Sequence, residues 1–305
     1  MKFVVTGCTS FIGVNLVCML LNEGHQVIGV CRNIEKASLL LPKHLNLEVI
    51  CLEMDRIQYL TDKISSNIDV FIHLAWNGAD HDGRNDETIQ MKNVEQSLVA
   101  LMVGRKLKCK LFVEAGSQAE YGLIKGLLTP DTRCFPENEY GKAKLEFGLE
   151  AESICRNIGM KFLHLRILSI YGEGDKDWTL IISCIKKMLR NEDVPLSLCL
   201  QNWNYVYIKD AVKQIYLLCQ YALNNELFKS EVFLIGSKDT RPLRNFIEEM
   251  YSLTGSKSRL LYGFYTPLNI VELNPDMSKT EIATNGFISN YTFEDGIKTI
   301  IKSMR

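Results

Sequence analysis

The sequence predicts an α/β chain: a doubly wound parallel sheet followed by a smaller C-terminal lobe. Three observations predict it. Short apolar runs alternate with longer helical patterns up to about residue 169, as successive strand-helix crossovers require. The first run is closed by a Gly-punctuated turn that opens a helical pattern. The run Asp69–Ala75 is nearly all apolar, as a strand buried on both faces must be.

Residues 2–6 (Lys-Phe-Val-Val-Thr) give the first strand. Gly7-Cys8-Thr9-Ser10-Phe11-Ile12-Gly13 follows, then an apolar helical pattern through Leu21. A strand, a Gly-rich turn and a helix start present backbone N–H groups to a phosphate. Gly7 permits the tight turn, and Gly13 lets the helix pack closely on the strand. Ser10 stands where a close-approach Gly is expected, so its hydroxyl is expected to face the phosphates as an extra hydrogen-bonding group.

The second strand, His25–Cys31, ends at Arg32 rather than at a carboxylate. A carboxylate there serves the ribose hydroxyls of NAD, whereas Arg accommodates a 2'-phosphate, so NADP(H) is expected ahead of NAD(H). Leu47–Leu52 is the third strand and leads to Asp55, whose carboxylate can meet an adenine amino group. In the fourth, His73 reads as a packed core residue. A helix from Glu87 to about Lys108 carries Asn93, and Lys110–Ala115 makes the fifth strand. It runs into Gly116-Ser117-Gln118-Ala119-Glu120-Tyr121-Gly122, so the Ser117 hydroxyl lies at the carboxyl edge, where open α/β sheets bind ligands.

Pro130 and Pro136 punctuate the loop before a helix capped by Asn138 and carrying Tyr140 and Lys144. Four residues apart, the phenol and the ammonium share one helix face. At about 4 Å and an effective dielectric near 20, a unit charge interacts by roughly 4 kcal/mol, or about three pKa units. Tyr140 is thus expected near neutrality, fit to exchange a proton. Lys161–Ser169 is the sixth strand and Leu180–Leu189 a helix. Strands at Asn204–Ile208 and Val232–Ile235, around a helix at Asp210–Leu223, are expected to return to the main sheet. Residues 1–168 plus 204–238 form the nucleotide-binding domain in this reading, and 169–203 plus 239–305 the smaller lobe.

At 305 residues, 47% hydrophobic and 23% charged, the chain can bury a full core. Its net charge of -1 gives no reason to expect nucleic acid or an anionic membrane as partner. Ten Cys without a Cys-x-x-Cys pair, and five His, offer no metal-ligand spacing. No run approaches a membrane span or a signal-peptide core, and a cytoplasmic protein is expected.

Together these residues resemble the extended short-chain dehydrogenase/reductases, specifically the nucleotide-sugar epimerases, dehydratases and reductases with a Rossmann domain. The resemblance runs along nearly the whole chain. It comprises the Thr6–Gly13 turn, Asp55, His73-Leu74-Ala75, Asn93, Ser117 before Tyr121-Gly122, and the Tyr140/Lys144 pair. Arg166 ahead of Tyr171-Gly172, Tyr205–Asp210, Asp276 with Ser278-Lys279, and Phe293–Ile297 complete it.

The resemblance implies Tyr140 as general acid/base, Lys144 as holder of the nicotinamide ribose, and Ser117 as ligand of the reacting sugar oxygen. It also implies a dinucleotide held by Gly7, Thr9, Ser10, Phe11, Ile12, Gly13, Arg32, Asp55, Leu74, Ala75, Trp76, Asn93 and Ile167. Gln118, Ser169 and Trp203 would face a nucleotide-sugar substrate. Dehydratases of the family carry Asp-Glu where this chain has Gln118-Ala119, which sets dehydration aside. Galactose-type epimerases carry Arg at Trp203, and that Arg grips the nucleotide diphosphate. The leading expectation is a reductase of a nucleoside-diphosphate 4-keto-6-deoxy sugar, with a redox-neutral 4-epimerase as the alternative and a non-catalytic nucleotide sensor as a third reading. A homodimer through the two long helices is expected, with Leu98, Leu101, Phe147 and Leu149 as candidate contacts.

Overall fold

The computed structural model describes residues 1–65, 67–80, 82–267 and 269–304. The first half alternates as the pattern demands: β1 (Lys2–Thr6), α1 (Phe11–Asn22), β2 (Gln26–Cys31), α2 (Ile34–Leu40), β3 (Leu47–Cys51), β4 (Val70–His73), α3 (Glu87–Lys106) and β5 (Leu111–Ser117). Then come α4 (Glu139–Ile158), β6 (Lys161–Ile167), β7 (Ser169–Tyr171), α5 (Leu180–Leu189), β8 (Val194–Pro195), β9 (Asn202–Tyr207), α6 (Ile208–Asn224) and β10 (Ser230–Ile235). The chain closes with β11 (Thr240–Pro242), α7 (Leu243–Thr254), β12 (Leu260–Leu261), α8 (Ser278–Ala283) and α9 (Phe293–Met304).

Seven strands form one parallel sheet in the order β10-β6-β5-β4-β1-β2-β3. The order reverses at β1, beside β4, which is where such sheets open a ligand crevice. Both faces are buried: Phe3 and Val5 of β1 join the core beneath α1 and α6, and Val4 between them joins the core beneath α3 and α4. His73 lies in that interior with Thr6 Oγ1 and Ser97 Oγ each 2.9 Å from a ring nitrogen. Burial holds its pKa down to about 3, so it is a neutral packing residue, as the sequence suggested.

One strand departs from expectation. β10 joins the main sheet beside β6, but β9 leaves it and pairs with β7 and β11 in a separate three-stranded sheet. Alternation along 202–207 signals a strand and carries no information on its partner. The candidate dimer contacts also divide. Leu101 and Phe147 are fully buried within the chain, because α3 and α4 pack on each other and on the sheet, whereas Leu149 is 60% exposed. No helix among the described residues is long and apolar enough to cross a membrane.

Two glycines let α4 approach the carboxyl edge. A Cβ on Gly141 would lie 2.4 Å from the Ala119 carbonyl oxygen, and one on Gly148 would lie 2.3 Å from His164 Cε1. Gly148→Ala is expected to cost about 1–3 kcal/mol through overpacking, read as a lowered urea midpoint. Leu45→Ala, fully exposed in the loop between α2 and β3, should change stability by no more than about 0.5 kcal/mol.

Candidate active site

A cleft of about 750 Å³ runs along the carboxyl edge on the reversal side of β1. Of the residues implied by resemblance, Gly7, Thr9, Ser10, Arg32, Asp55, Leu74, Ala75, Trp76 and Asn93 line it. Gly7 has φ +66°, and a Cβ there would lie 2.9 Å from Ala75 N, while a Cβ on Gly13 would lie 2.3 Å from the Gly7 carbonyl oxygen. The turn is thus a cradle that side chains would fill. The first-turn N–H groups of Phe11 and Ile12 have no partner within the helix. Such a cradle beside a cleft of this size fits a dinucleotide pyrophosphate.

Phe11, Ile12, Gly13 and Ile167 do not line the cleft itself. Gly13 is spent on packing, and Ile167 pairs with Ser117 across β5 and β6. Ser10 also caps a helix. Its hydroxyl accepts the Gly13 N–H at 3.0 Å as the N-cap of α1, which leaves its hydrogen for the cleft that Ser10 lines. Asn93 is spent too: its amide clamps Asn77, accepting from the backbone N at 3.0 Å and donating to the carbonyl at 2.9 Å. Sequence reasoning missed Lys36, Asn77, Lys92 and Lys176, which also line the cleft. Lys36 had a signal, since it follows Arg32 by one helical turn.

Around the reacting group the predicted helix start is present: Asn138 Oδ1 accepts the Gly141 N–H at 2.8 Å. Ser117 neighbours the Tyr140 phenol and favours its ionised form. Its Oγ accepts the Ala119 N–H at 3.2 Å, which leaves the hydroxyl hydrogen for the site. The charge pairing expected between Lys144 and the Tyr140 phenol is a correction. The Lys144 ammonium donates to the Ala115 carbonyl at 2.8 Å and lies 3.5 Å from the centroid of the Trp76 ring. Burial lowers its pKa to about 8 against the pull of Glu114 and Glu120.

The phenol responds accordingly. Burial raises the Tyr140 pKa, and the nearby cation that opposes the rise is Arg84, its Cζ 4.6 Å from the ring centroid. Helical spacing put Tyr140 and Lys144 on one face; it did not set which atoms they meet. Of the expected substrate contacts, Gln118 opens the turn after Ser117 and Ser169 starts β7. Trp203 lies in β9, half-buried, with its indole nitrogen buried and without a hydrogen-bond partner.

Behind Ser117 sits a charge cluster that no sequence motif announced. His164 Nε2 is 2.9 Å from Glu120 Oε2, and its Nδ1 is 2.9 Å from Glu114 Oε2, the latter an ion-pair contact off the hydrogen-bond direction. Arg166 Nε donates to Glu120 Oε2 at 2.8 Å, and Glu120 Oε1 accepts the Ser117 backbone N–H at 2.7 Å. His164 has its pKa lowered by burial but raised more by Glu120 and Glu114, ending at about 10, while His164, Arg166 and the Ser117 N–H overcome the burial of Glu120 to hold it at about 2.

A histidine raised from 6.5 to about 10 contributes stability that is whole below pH 6.5 and is lost as pH climbs to 10. A glutamate lowered from 4.5 to about 2 contributes above pH 4.5 and loses that contribution as pH falls. Stability from the pair should therefore be greatest between pH 4.5 and 6.5. Urea denaturation across pH should show a decline above 6.5 that flattens in His164→Gln. Glu120→Gln should cost about 3–5 kcal/mol at pH 6 by leaving buried cations unpaired.

A profile of the NAD dependent epimerase/dehydratase family matches residues 3–236. The CDP-abequose synthase of Salmonella muenchen is 27% identical over 309 aligned residues, covering 98% of this chain and 97% of that protein. The dTDP-4-dehydro-6-deoxyglucose reductase of Escherichia coli is 26% identical, over 82% of this chain and 79% of that protein. A solved structure of UDP-glucuronic acid 4-epimerase from Bacillus cereus in complex with NAD superimposes with a TM-score of 0.83 at 21% identity, over 100% of this chain and 99% of its own, a likeness of fold. Because the profile match runs from the first strand of the seven-stranded sheet to the last, the chain belongs to the NAD-dependent epimerase/dehydratase family of extended short-chain dehydrogenase/reductases, and it is an oxidoreductase or epimerase.

Proposed function

We propose that the chain is an NADP(H)-preferring reductase that converts a nucleoside-diphosphate 4-keto-6-deoxy sugar into its 4-hydroxy product. The observation that carries the reading is that Ser117 and Tyr140 stand together next to Trp76, whose indole lies 6.3 Å from the phenol ring and lines the cleft that Arg32 and Lys36 also line. Two cations and no carboxylate at the end of β2 suit a 2'-phosphate, and NAD(H) remains the second choice. The likeness to a dTDP-4-dehydro-6-deoxyglucose reductase supports the reaction class, and the end-to-end likeness to a CDP-abequose synthase supports a nucleoside-diphosphate sugar.

The residues divide the work. The nicotinamide supplies the hydride that reduces the keto carbon. Ser117 turns its hydroxyl hydrogen toward the sugar oxygen as charge develops there. Tyr140 delivers its proton to that oxygen and completes the alcohol. Gln118 and Ala119 supply no acid/base pair for expelling water. Lys144 would hold the nicotinamide ribose with the ammonium hydrogens that the Ala115 carbonyl does not take.

Gln118, Ser169 and Trp203 are the proposed sugar-nucleotide contacts, the last two in the lobe formed by residues 169–203 and 239–305. A homodimer through α3 and α4 fits the exposed Met91, Val99, Met102 and Leu149. The enzyme's proposed setting is the cytoplasm, where NADPH is available.

The test is absorbance loss of NADPH with dTDP- and CDP-linked 4-keto-6-deoxy sugars. One NADPH consumed per alcohol formed is the expected result; inverted 4-hydroxy sugar without net NADPH loss would overturn it in favour of the epimerase. Tyr140→Phe should lower kcat by about 10²–10⁴-fold with little change in cofactor binding. Arg32→Asp should raise the KM for NADPH about tenfold or more, about 1.4 kcal/mol, with a smaller effect on NADH.

A further inference from the structure

The cation that faces the catalytic phenol is the one the sequence did not single out. Arg84 stands on a single helical turn, Gly83–Asn85, in the loop between β4 and α3. That loop is closed on itself. Asp80 Oδ1 accepts the Gly83 N–H at 2.9 Å, and the Gln90 side-chain amide donates to the carbonyls of Gly78 at 2.8 Å and Gly83 at 2.9 Å. Gln90 Oε1 accepts the Trp76 indole N–H at 2.8 Å, tying the loop to the strand end. Gly78 and Gly83 touch so closely that a Cβ on Gly83 would lie 2.3 Å from Gly78 Cα. A guanidinium presented from such a turn is held in place.

Arg84 also lacks the partner a half-buried arginine normally has. Among the described residues it makes no ion pair, and its buried Nε has no hydrogen-bond acceptor. An unsatisfied buried donor is costly, and a negative charge arising on the phenol beneath it is one that this guanidinium would meet. The other groups facing Tyr140 do not supply a balancing cation. Ser117 from the end of β5 is neutral, Glu114 and Glu120 behind it are anionic, and Lys144 on the phenol's own helix is turned to Ala115 and Trp76.

We propose that Arg84 acts on the reaction through Tyr140, lying on the ring face to stabilise the phenolate left when Tyr140 gives its proton to the substrate oxygen. A cation over an aromatic face is attracted by the ring's negative potential, and loss of the phenolic proton increases that potential. The proton leaves Oη for the alkoxide oxygen, Arg84 stays protonated throughout, and the phenolate recovers a proton from water before the next cycle. Its use in turnover rests on the proton-donor role proposed above; the charge stabilisation itself does not.

The test is an ultraviolet difference titration of tyrosinate with NADP⁺ present, in the chain and in Arg84→Gln, Arg84→Lys and Tyr140→Phe. The step missing from Tyr140→Phe belongs to Tyr140. In Arg84→Gln that step should move up by about one pKa unit, a tenfold loss of phenolate at a given pH, and Arg84→Lys should recover at least half of the shift. A midpoint that stays put in Arg84→Gln overturns the inference, as does an equal shift in the lysine variant. In the reductase assay the limb of the kcat profile that Tyr140 controls should move by the same amount, with the KM for NADPH unchanged. A shifted titration without reductase activity would remove the proposed substrate reaction and leave Arg84's role standing.

Discussion

The site depends on a buried cluster of opposite charges behind Ser117. Glu120 joins it to the site: one oxygen takes the Ser117 backbone N–H, the other takes His164 and Arg166. A carboxylate with no exposure is tolerated only when its charge is answered at close range, and here an imidazolium and a guanidinium answer it from one strand. The result is a short turn whose serine hydroxyl has a single free direction. Gly116 and Gly148 complete the arrangement, since a Cβ at either would enter the space of the imidazole. The strand ends, the turn and α4 are therefore locked to one another around a ring that cannot move without exposing charge.

The same cluster explains why the helix-spacing estimate for Tyr140 and Lys144 gives the wrong sign. The estimate treats the pair as isolated on a helix face. In the folded chain both are deeply buried, and burial opposes the charged form of each. The two glutamates pull the ammonium's pKa up and push the phenol's up as well, so they oppose phenolate formation. Lys144 satisfies itself on a carbonyl and an indole face, at hydrogen-bond and cation-π distances, and leaves the phenol to Arg84. A charge four residues away is close in sequence and still not the controlling one.

Much of this was legible in the sequence, for a physical reason. Strand-helix alternation, the Gly7–Gly13 turn and the all-apolar β4 are local patterns that burial on both faces of a parallel sheet imposes, so the sheet and the cleft could be read residue by residue. Ser117, Tyr140 and the N-cap Asn138 sit where the chain's order puts them. What could not be read were pairings across distant segments. Asn93 holds a loop backbone, and β9 finds its partners in β7 and β11 rather than in the main sheet. His164 and Glu120 are separated by 44 positions, and each alone looks like an ordinary strand or turn residue.

The loop from Trp76 to Asp86 links the cleft to the Tyr140 phenol through contacts of this long-range kind. Near its start, Asn77 Oδ1 accepts a hydrogen bond from Arg32 at 3.1 Å, at the end suited to a 2'-phosphate. Near its finish, Arg84 covers Tyr140, where the proton moves. Between them the loop is clamped from α3 by Asn93 at Asn77 and by Gln90 at Gly78 and Gly83. A phosphate that drew Arg32 away from Asn77 would act on a segment whose other end carries the phenol's cation. Asn93 and Gln90, one helical turn apart and both buried, thus fix the loop that carries Asn77, the partner of Arg32, at one end and Arg84 at the other.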